Sequence, residues 1–440
     1  MSRPAPAEVL RQLPGASAAV ARLAVEVADD EDLALHLVGG PVRDLLLGRP
    51  LRDVDLLVEG ADGERVAALA RSIAPEGARV ISHDHFGTVS IRGGDVAIDL
   101  AAARSETYAQ VGAMPTVSPG TLEEDLARRD FTVNALALPM SRRARSAHTG
   151  VVALEGALAD LADRQLRVLH GRSFHDDPTR ALRAARLAPR LGFTLSRVSR
   201  SALRDALRDG AFGRVSGDRL RRELVQLFAD SAAGLDPARA LRLLAQWHVL
   251  GALEPGLELP TAAVPALRRV GRAVESPPWR AGRWRPWVTG LGVWLAEMPP
   301  QLRRRVLRRF AVRGEVASRL AVLPTTRDRR LSALGRARGR GAIDAQLCDL
   351  SEEELHALHA WATPAARRRI ARYAAEDRQR RSPVNGDDLI EVGLAGPELG
   401  RALDRIREAY LDGMIRTREE ALALAREVGR RSASRRHGRG

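Results

Sequence analysis

The sequence predicts an α+β protein, in which a mixed α/β unit near the N-terminus is followed by a long all-helical region. Two observations support this prediction. Short runs rich in β-branched residues and separated by Gly occur between residues 33 and about 145. Beyond about residue 150 these runs stop, and apolar residues recur at helical spacing. A chain of 440 residues is also long enough for about two to four domains.

Six segments are predicted in chain order from changes in pattern and polarity. A helical N-terminal lead-in, residues 1–32, precedes an α/β head, residues 33–148. Three helical segments follow, at 149–232, 233–380 and 381–428. The last segment, 429–440, is basic and rich in Ser and Gly, and we predict that it is disordered.

Four strand-like runs and one helix are expected within the head. The helix is ADGERVAALARSIA, residues 61–74, whose apolar residues recur at helical spacing. The strand-like runs are LALHLVGG, VDLLVEG, ARVISHDHFGTVSIRGG and DVAIDLAAAR. The head is therefore predicted to contain a mixed β-sheet with at least one helix beside it.

Cysteine content and hydropathy indicate the compartment. Cys348 is the single cysteine, so an internal disulfide is excluded and a reducing cytoplasm is expected. The first residues, MSRPAPAEVLRQLPG, lack an uninterrupted apolar stretch, so no secretory signal is expected. No run of about twenty apolar residues occurs, so neither a transmembrane helix nor a membrane partner is predicted.

The charge of the chain favours a polyanionic partner. The formal net charge is +15, and all 70 residues counted as Lys or Arg are Arg. Guanidinium groups bind phosphate through two parallel hydrogen bonds and stack on bases. A net positive charge of this size therefore indicates a nucleic acid, and RNA in particular, as the partner.

Two carboxylates in the run RDVDLLV provide the first indication of chemistry. Asp53 and Asp55 are two residues apart, so on a strand both side chains would point to the same face. Carboxylates so placed can share two divalent cations about 3.5–4 Å apart, the arrangement used in two-metal nucleotidyl transfer. A solvated strand end is the alternative interpretation of the same pattern.

A glycine pair and an arginine precede these carboxylates. Without side chains, Gly39 and Gly40 would let backbone N–H groups approach a triphosphate closely. Arg43 follows at the start of a predicted helix and could pair with phosphate oxygens. A third carboxylate, Asp99 in VAIDLAAAR, also falls in a strand pattern, and a neighbouring strand could bring it beside Asp53 and Asp55 as a further catalytic residue.

Three segments together resemble the class II tRNA nucleotidyltransferase and bacterial poly(A) polymerase family. They are LVGGPVRDLLLGRPLRDVDLLVEG, LEEDLARRDFTVNALAL and DDPTRALRAARLAPRLGF. The resemblance extends over about residues 33–230, and a weaker one covers 384–425. VSGDRLRREL, residues 215–224, is similar to a further motif of the family, which usually has Glu where Asp218 stands and Ile where Leu220 stands.

The resemblance implies a fold and a reaction. It implies a polymerase-beta-type nucleotidyltransferase head, then a helical neck (149–232) that recognises the nucleobase, a body (233–380) that binds RNA and a tail (381–428) that binds tRNA. The implied reaction is template-independent addition of nucleotides to an RNA 3′ end, with Mg²⁺ as cofactor. The leading interpretation is CCA addition to tRNA from CTP and ATP.

The family pattern also assigns roles to single residues. It makes Asp53 and Asp55 metal ligands, and Gly40, Arg43 and Arg129 nucleotide contacts. Within RRDFTVNA, it gives Asp130 and Asn134 the role of holding the motif in place.

The run DDPTRALRAAR is predicted to open a helix that selects the base. Asp176, where the family usually has Glu, is expected to cap this helix, and Pro178 suits its first turn. Four nucleotide-binding residues follow at steps of three, namely Asp177, Arg180, Arg183 and Arg186.

Base choice at this helix follows from hydrogen-bonding chemistry. A carboxylate at 177 can accept from the exocyclic amine of C or A, and a guanidinium at 180 can donate to the adjacent ring nitrogen. Both contacts reverse sign for U and G. An ion pair between Asp177 and Arg180 on a solvated helix is the alternative interpretation.

Three other functions stay open at this point. Within the family these are poly(A) polymerase and the CC-adding or A-adding half of a split CCA system. Outside it, a non-catalytic RNA-binding homologue is possible in principle, although the complete carboxylate and phosphate-binding set argues against it.

Overall fold

A seven-stranded mixed sheet organises the N-terminal part of the computed structural model. The structure describes residues 6–13, 15–83, 87–107, 116–230, 235–273, 278–279 and 284–437. The strands of this part are β1 (Ala34–Val38), β2 (Asp55–Glu59), β3 (Arg79–His83), β4 (Thr88–Gly93), β5 (Val96–Ala102), β6 (Arg104–Thr107), β7 (Thr116–Pro119), β8 (Leu136–Pro139) and β9 (Val152–Ala153). The predicted α+β class, with a mixed sheet in the head, is confirmed.

The order of strands across the sheet is β3-β4-β5-β2-β1-β8-β9. Strands β2 and β5 are parallel, whereas the other pairs in this sheet are antiparallel. Strands β6 and β7 form a separate antiparallel pair. The parallel contact matters for function because it brings the start of β2 beside the middle of β5.

Helices of the first part cover the sheet. They are α1 (Pro6–Gln12), α2 (Gly15–Asp30), α3 (Gly40–Leu46), α4 (Gly63–Ile73), α5 (Leu122–Ala127), α6 (Arg142–Ala147) and α7 (Ala157–Ala162). Both faces of the sheet are buried, since Leu56 and Val58 belong to one apolar cluster and Leu57, which points the other way, belongs to a second. This burial explains the continuous apolar runs in β1 and β2.

Helix α4 shows how local sequence sets an element. The Asp62 side chain accepts a hydrogen bond from the backbone N–H of Arg65 at 2.8 Å and so caps the helix. Val66, Leu69 and Ile73 recur at helical spacing and are buried against the sheet. The helix predicted over 61–74 is therefore present with bounds shifted by one or two residues.

The remaining helices continue to the end of the described chain. They are α8 (Ser173–Asp176), α9 (Thr179–Leu191), α10 (Arg197–Arg208), α11 (Gly217–Ala229), α12 (Pro237–Gln246), α13 (Val249–Leu253), α14 (Ala263–Ala273), α15 (Pro286–Leu295), α16 (Pro300–Arg309), α17 (Gly314–Arg336), α18 (Gly339–Leu347), α19 (Glu352–Trp361), α20 (Pro364–Ala375), α21 (Gly386–Glu391), α22 (Gly396–Leu411) and α23 (Arg418–His437). None of the helices in the described ranges is both long and apolar enough to cross a membrane.

The prediction that everything after residue 148 is helical is wrong in two places. Strand β9 adds to the edge of the head sheet, and two further strands, β10 (Gln165–Leu166) and β11 (Thr194–Leu195), form a parallel pair within the predicted neck. Ladders of two residues are too short to produce an alternating pattern. They depend instead on backbone contacts distant in sequence, such as Thr194 N–H to the Arg164 carbonyl at 3.0 Å.

The prediction that 429–440 is disordered is wrong for most of that segment, because α23 extends to His437. The residues from 430 to 437 are Arg, Ser, Ala and His, and a helix-breaking Gly returns only at 438. Net charge misled the prediction here, since a basic run without Gly or Pro can still continue a helix. Residues 438–440 lie outside the described residues.

Two compact units divide the chain. The first comprises residues 1–216 with 247–253, and the second comprises 217–246 with 254–440. The first unit therefore contains the sheet and helices α8 to α10. Within the second unit, α21, α22 and α23 share an apolar cluster that includes Leu389, Ile406 and Ala425.

Candidate active site

Asp55 and Asp99 lie side by side on two parallel strands. Asp55 is the first residue of β2 and is in register with Asp99 of β5. The backbone N–H of Asp99 donates to the Val54 carbonyl at 2.9 Å, which continues the pairing toward the chain that enters β2. The prediction that a neighbouring strand brings Asp99 to this place agrees with the register.

Asp53 has a different position from the one that its spacing suggests. It lies in the irregular segment before β2 and is exposed, whereas Asp55 is half-buried. The prediction that both carboxylates sit within a strand is therefore wrong, because the ladder with β1 reaches only Leu56 and the parallel ladder begins at Asp55. Asp53 is placed by the approach of the chain to β2 and not by the strand itself.

The Asp99 carboxylate accepts hydrogen bonds from two side chains of β4. Arg92 donates from Nη2 to both oxygens, at 2.6 and 2.8 Å, and the Ser90 hydroxyl donates to Oδ1 at 2.5 Å. Within the described ranges, no group of three or more His, Cys, Asp or Glu side chains is gathered in a metal-binding arrangement. The structure thus places Asp99 next to Asp55 but turns it toward Arg92.

Burial and negative charge act together on Asp55. Desolvation by burial, together with the charges of Asp99 and Asp53, raises the pKa of its carboxyl to about 7, while the charges of Arg129 and Arg92 oppose the shift. The negative charges around Asp55 therefore outweigh the positive ones. Hard carboxylate oxygens in a negative field are the donors that divalent cations such as Mg²⁺ prefer, so Asp53 and Asp55 fit a metal of this class.

Gly39 fits beside an arginine. Its φ of +73° lies in the region that favours glycine, and a Cβ at this position would stand 2.6 Å from Nη1 of Arg129. The predicted reason for the glycine pair is wrong for Gly39, since its N–H donates to the Leu136 carbonyl at 2.8 Å and is not directed at a ligand. A Cβ at Gly40 would meet Arg43 only at ordinary van der Waals distance.

Arg43 is buried and bonded within the protein. Its Nε donates to Oδ1 of Asp44 at 2.9 Å, and Nη1 donates to Oδ1 of Asn134 at 2.5 Å. Burial lowers the pKa of this guanidinium, and Asp44 counteracts the effect. The sequence predicted that Arg43 pairs with phosphate oxygens. In the structure its guanidinium is held by Asp44 and Asn134, because a single buried charge needs a carboxylate beside it.

Arg129 is a second arginine beside the glycine turn, and its charge acts on Asp55. Its Nη2 donates to Asp125 at 2.9 Å, and Asp125 is fully buried. Its Nε is buried without a hydrogen-bond partner among the described residues. Because its charge acts on Asp55 and its guanidinium stands over Gly39, Arg129 is the cation that the structure brings between the glycine turn and the carboxylates.

Asp130 and Asn134 form the link that was predicted to hold their motif. Oδ1 of Asp130 accepts from the Phe131 N–H and from Nδ2 of Asn134, each at 2.9 Å. Asn134 in turn accepts from Arg43. One short segment thereby orients the buried arginine.

The start of α9 differs from its prediction. Asp176 is the last residue of α8, and the predicted Asp176 cap is wrong. Asp177 takes that place, since its Oδ1 accepts from the Thr179 N–H at 3.0 Å and from the Thr179 hydroxyl at 2.6 Å. Pro178 fixes the backbone at the N-terminal end of α9, and this local geometry selects the second carboxylate of the pair.

The arginines of α9 reach different partners. Arg180 is buried and donates from Nη2 to the Arg128 carbonyl at 3.0 Å, while its Nη1 has no hydrogen-bond partner among the described residues. Arg183 lies 3.5 Å from both Asp177 and Asp130. Arg186 is half-buried one turn further along the helix. The alternative ion pair between Asp177 and Arg180 is not formed.

Known proteins match this chain at the level of sequence and of fold. Residues 35–167 match the family model of the poly A polymerase head domain. An A-adding tRNA nucleotidyltransferase of Geobacter sulfurreducens is 31% identical over 427 residues, which are 94% of this chain and 47% of that relative. A CC-adding tRNA nucleotidyltransferase of Deinococcus radiodurans is 42% identical over 232 residues, which are 52% of this chain and 57% of that relative.

A solved structure extends the match to the whole chain. The apo form II of a CCA-adding enzyme has a TM-score of 0.74 and 27% identity, and the match covers 96% of this chain and 99% of that one. Residues 35–167 of the chain therefore form a poly A polymerase head domain. The predicted resemblance to this family and the polymerase-beta-type fold class are confirmed. The chain spans about half the length of its Geobacter relative.

Sequence reasoning missed part of the polar network beside the glycine turn. Arg190, near the C-terminal end of α9, lies 3.7 Å from Asp44, and Arg49 donates to the carbonyls of Arg190 and Leu191 at 2.9 and 3.0 Å. Asp44 therefore contacts both the buried Arg43 and α9. In the sequence, the position of Asp44 directly after Arg43 was the only sign of this role.

Proposed function

We propose that this nucleotidyltransferase adds CCA, or part of it, to tRNA 3′ ends from CTP and ATP without a nucleic-acid template. In this reaction the terminal hydroxyl oxygen bonds to the α-phosphorus, the bond from that phosphorus to the bridging oxygen breaks, and pyrophosphate leaves. The observation that carries the proposal is the pair Asp55 and Asp99 in parallel register, where desolvation and mutual repulsion raise the pKa of Asp55 to about 7. A site of this charge is suited to a divalent cation and a triphosphate bound together.

The family uses a divalent metal, and we propose that it is Mg²⁺ here, held by Asp53 and Asp55. When bound, the metal supplies a lowered pKa for the attacking hydroxyl and neutralises charge on the leaving pyrophosphate. Arg129 is the protein cation available to the same phosphates, since it lies over Gly39 and acts on Asp55. Asp99 contributes negative charge and is positioned by Arg92.

For base selection we propose Asp177 and Arg180. Nη1 of Arg180 is buried without a hydrogen-bond partner among the described residues, which leaves one donor for the ring nitrogen of C or A. Oδ1 of Asp177 is held by Thr179, so the carboxylate has a defined orientation from which it can accept from the exocyclic amine. Arg183 and Arg186 follow on α9 as further nucleotide contacts.

Arg43 has a positioning role in this proposal. Its guanidinium remains hydrogen-bonded to Asp44 and Asn134. Arg43 therefore orders the turn at Gly39 and Gly40 without direct contact to phosphate. The tRNA partner is proposed because the named relatives act on tRNA. A cytoplasmic reaction is proposed because a chain with one cysteine does not depend on disulfides.

Addition of A alone is the second candidate. The Geobacter relative that matches 94% of this chain is an A-adding enzyme, whereas the CC-adding relative matches about half of it. The two activities differ in which terminal sequence the enzyme accepts and in which nucleotide it adds. A partner enzyme would then supply the two C residues.

One experiment separates these products. Three tRNA transcripts that end before CCA, after C and after CC are incubated with CTP alone, ATP alone or both, and the terminal sequence of each product is determined. Complete CCA on the shortest transcript supports full CCA addition, and A added only after CC supports the second candidate. Long A tracts would instead indicate a poly(A) polymerase, and no addition to any transcript would contradict the proposed function.

A further inference from the structure

Arg92 of β4 is a cation beside the carboxylates. On one face of the sheet Ser90, Asp99 and Asp55 stand in a row, because Ser90 is in register with Asp99 and Asp99 is in register with Asp55. Arg92 comes two residues after Ser90 on the same strand, so its side chain points to the same face. We call Asp53, Asp55 and Asp99 the carboxylate edge.

The guanidinium of Arg92 is held by Asp99 and by the backbone. Its Nη2 donates to both carboxylate oxygens of Asp99, at 2.6 and 2.8 Å. Its Nη1 donates to the carbonyls of Ile98 and Ile91, at 2.8 and 3.1 Å. The Ser90 hydroxyl adds a hydrogen bond to Oδ1 of Asp99 at 2.5 Å. Both oxygens of Asp99 therefore accept hydrogen bonds from within the protein, and these are the oxygens that a metal ion would contact.

The ion pair between Arg92 and Asp99 is exposed enough to be exchanged. The Arg92 side chain is 40% exposed and that of Asp99 is 48% exposed. Pairs at this exposure contribute little to stability, because water and salt screen them. A divalent cation carries twice the charge of a guanidinium in a smaller volume, and carboxylate oxygens are the ligands that it prefers. Asp99 can therefore pass from Arg92 to a metal ion without loss of the fold.

Arg92 also acts on the next carboxylate of the row. Its positive charge reaches Asp55 and opposes the effect of Asp53 and Asp99 there. A charge that is felt at Asp55 also repels a cation bound at Asp55, because both effects are the same Coulomb interaction. Arg92 thus weakens the attraction of the carboxylate edge for a cation in two ways, by competition for Asp99 and by repulsion.

We propose that Arg92 is an internal counter-ion that competes with the divalent metal for Asp99 and so weakens the binding of free metal at the carboxylate edge. The proposal rests on the proposed function, which places a divalent metal at Asp53 and Asp55. Its consequence is that free metal is held weakly, and that the metal is retained when a triphosphate supplies further oxygen ligands and negative charge. Arg92 is a positioning residue in this proposal, since it acts through Asp99.

The test measures the binding of Mn²⁺ alone to the full-length protein, without RNA or nucleotide, from the electron paramagnetic resonance signal of the free ion. Arg92→Gln removes the charge and keeps an amide that can donate to the Ile98 carbonyl. Arg79→Gln is the matched control, because Arg79 is exposed and lies in register with Arg92 on β3, one strand further from the carboxylates. Melting curves check the fold of both variants.

The expected results follow from loss of one competing charge. Arg92→Gln should bind Mn²⁺ about three- to tenfold more tightly than the unaltered protein at low salt, and the gain should shrink near 1 M salt, where the Debye length is about 3 Å. Arg79→Gln should change the affinity less than about twofold. Arg92→Lys keeps the charge but cannot contact both oxygens of Asp99 and the backbone together, so its affinity should fall between. Combined with Asp55→Asn, Arg92→Gln should give no gain, because a carboxylate proposed to hold the metal is then missing.

Other outcomes overturn the proposal. Weaker Mn²⁺ binding by Arg92→Gln would mean that Arg92 orients Asp99 for the metal instead of competing with it, and unchanged affinity would mean that Arg92 does not act on the metal. An equal gain in Arg79→Gln would mean that net charge alone sets the affinity, and a gain that persists with Asp55→Asn would place the Mn²⁺ elsewhere.

A second variant and the choice of probe keep the test decisive. If Arg92→Gln does not fold, Arg92→Lys decides, and binding no tighter than that of the unaltered protein would overturn the proposal. Because Mn²⁺ binding is measured without RNA or nucleotide, a protein that binds Mn²⁺ as expected but adds no nucleotide to any transcript would contradict the proposed function and leave this inference standing.

Discussion

The carboxylates at the start of β2 and the arginines at the start of α9 lie in the same compact unit, but they are neutralised in opposite ways. Asp55 has two negative neighbours, and burial together with their charges raises its pKa to about 7. Arg183, in contrast, lies within 3.5 Å of both Asp177 and Asp130, and Arg180 has a backbone carbonyl as partner. The carboxylate edge needs a cation from outside, whereas the arginine cluster is largely satisfied by the protein itself.

This difference bears on how each region meets its ligand. In the proposed function the carboxylate edge is an electrostatic site, in which activity depends on charge and in which removal of one charge relieves repulsion. In the proposed function the start of α9 is a geometric site, in which a base meets groups whose positions are already set by contacts within the protein, with Nη1 of Arg180 left as a donor. Loss of one group in the first region should therefore stop the reaction, and loss of one group in the second should change which base is chosen.

The largest effect is expected for Asp55→Asn. Loss of the charge that fits a divalent cation should lower the rate of nucleotide addition by at least about a thousandfold, since the electrostatic contribution of such a site is usually the largest one. The melting temperature should stay equal or rise, because the amide removes repulsion from Asp53 and Asp99. Single-turnover rates and melting curves measure both.

Asp95→Asn is the matched control, because it removes an exposed carboxylate close to β5. It should leave both the rate and the melting temperature nearly unchanged. A marked loss of stability in Asp55→Asn, with activity proportional to the folded fraction, would show that the carboxylate edge is structural.

The second prediction concerns base choice at α9. Asp177→Ala removes the attraction to the amine of C or A and the repulsion of the carbonyl of U or G. The preference for CTP and ATP over UTP and GTP should fall by about one to two orders of magnitude, which corresponds to one hydrogen bond to a charged group. kcat/KM for all four nucleotides on one tRNA measures this preference.

Stability gives the control for that variant. Asp177 also caps α9 through Thr179, so Asp177→Ala should cost about 1 kcal/mol of unfolding free energy. Thr179→Val removes the hydroxyl contact but keeps the carboxylate, and it should alter base preference much less. Lowered stability with unchanged preference in Asp177→Ala would contradict the base-selection proposal.

A smaller effect is expected at the link between the two regions. Asp44 contacts Arg43, which adjoins the glycine turn, and it lies near Arg190 of α9. Asp44→Asn should raise the KM for the nucleotide by about tenfold through misplacement of Arg43, with a smaller change in kcat. Asp44→Glu should restore part of the loss. Equal KM values in Asp44→Asn and the unaltered protein would show that the link does not position the turn.

The smallest effect is the contribution of Asp55 to the pH dependence of stability. The folded pKa of Asp55, about 7, is above its unfolded value, so the folded state holds a proton that the unfolded state has lost. Without divalent metal, the contribution of Asp55 to stability should therefore fall as the pH rises from about 4 to about 7 and then level off.

The difference in melting temperature between Asp55→Asn and the unaltered protein isolates this contribution. It should increase with pH in the presence of EDTA and shrink when Mg²⁺ is added at pH 8. A difference that does not vary with pH would show that Asp55 titrates as an ordinary exposed carboxylate.

The sequence by itself determined the fold class and the candidate residues of the site. Alternating and helical periods are local properties, so the head strands and the helix α4 could be predicted from neighbouring residues. The short motifs around Gly39, Asp55, Arg129 and Asp177 were equally visible, because each motif of the family consists of residues that are adjacent in the sequence. The family itself followed from these motifs and is confirmed by the comparisons.

Only the tertiary structure decided which of those residues meet and how. The register of Asp55 with Asp99 depends on a parallel pairing across more than forty residues, and nothing in either strand specifies it. The occupation of Arg43 by Asp44 and Asn134, the use of the Gly39 N–H by Leu136 and the choice of Asp177 over Asp176 as cap are likewise contacts made when separate elements pack. Local patterns report what a segment can form, whereas partners of buried polar groups are set by whichever donors and acceptors packing brings within reach.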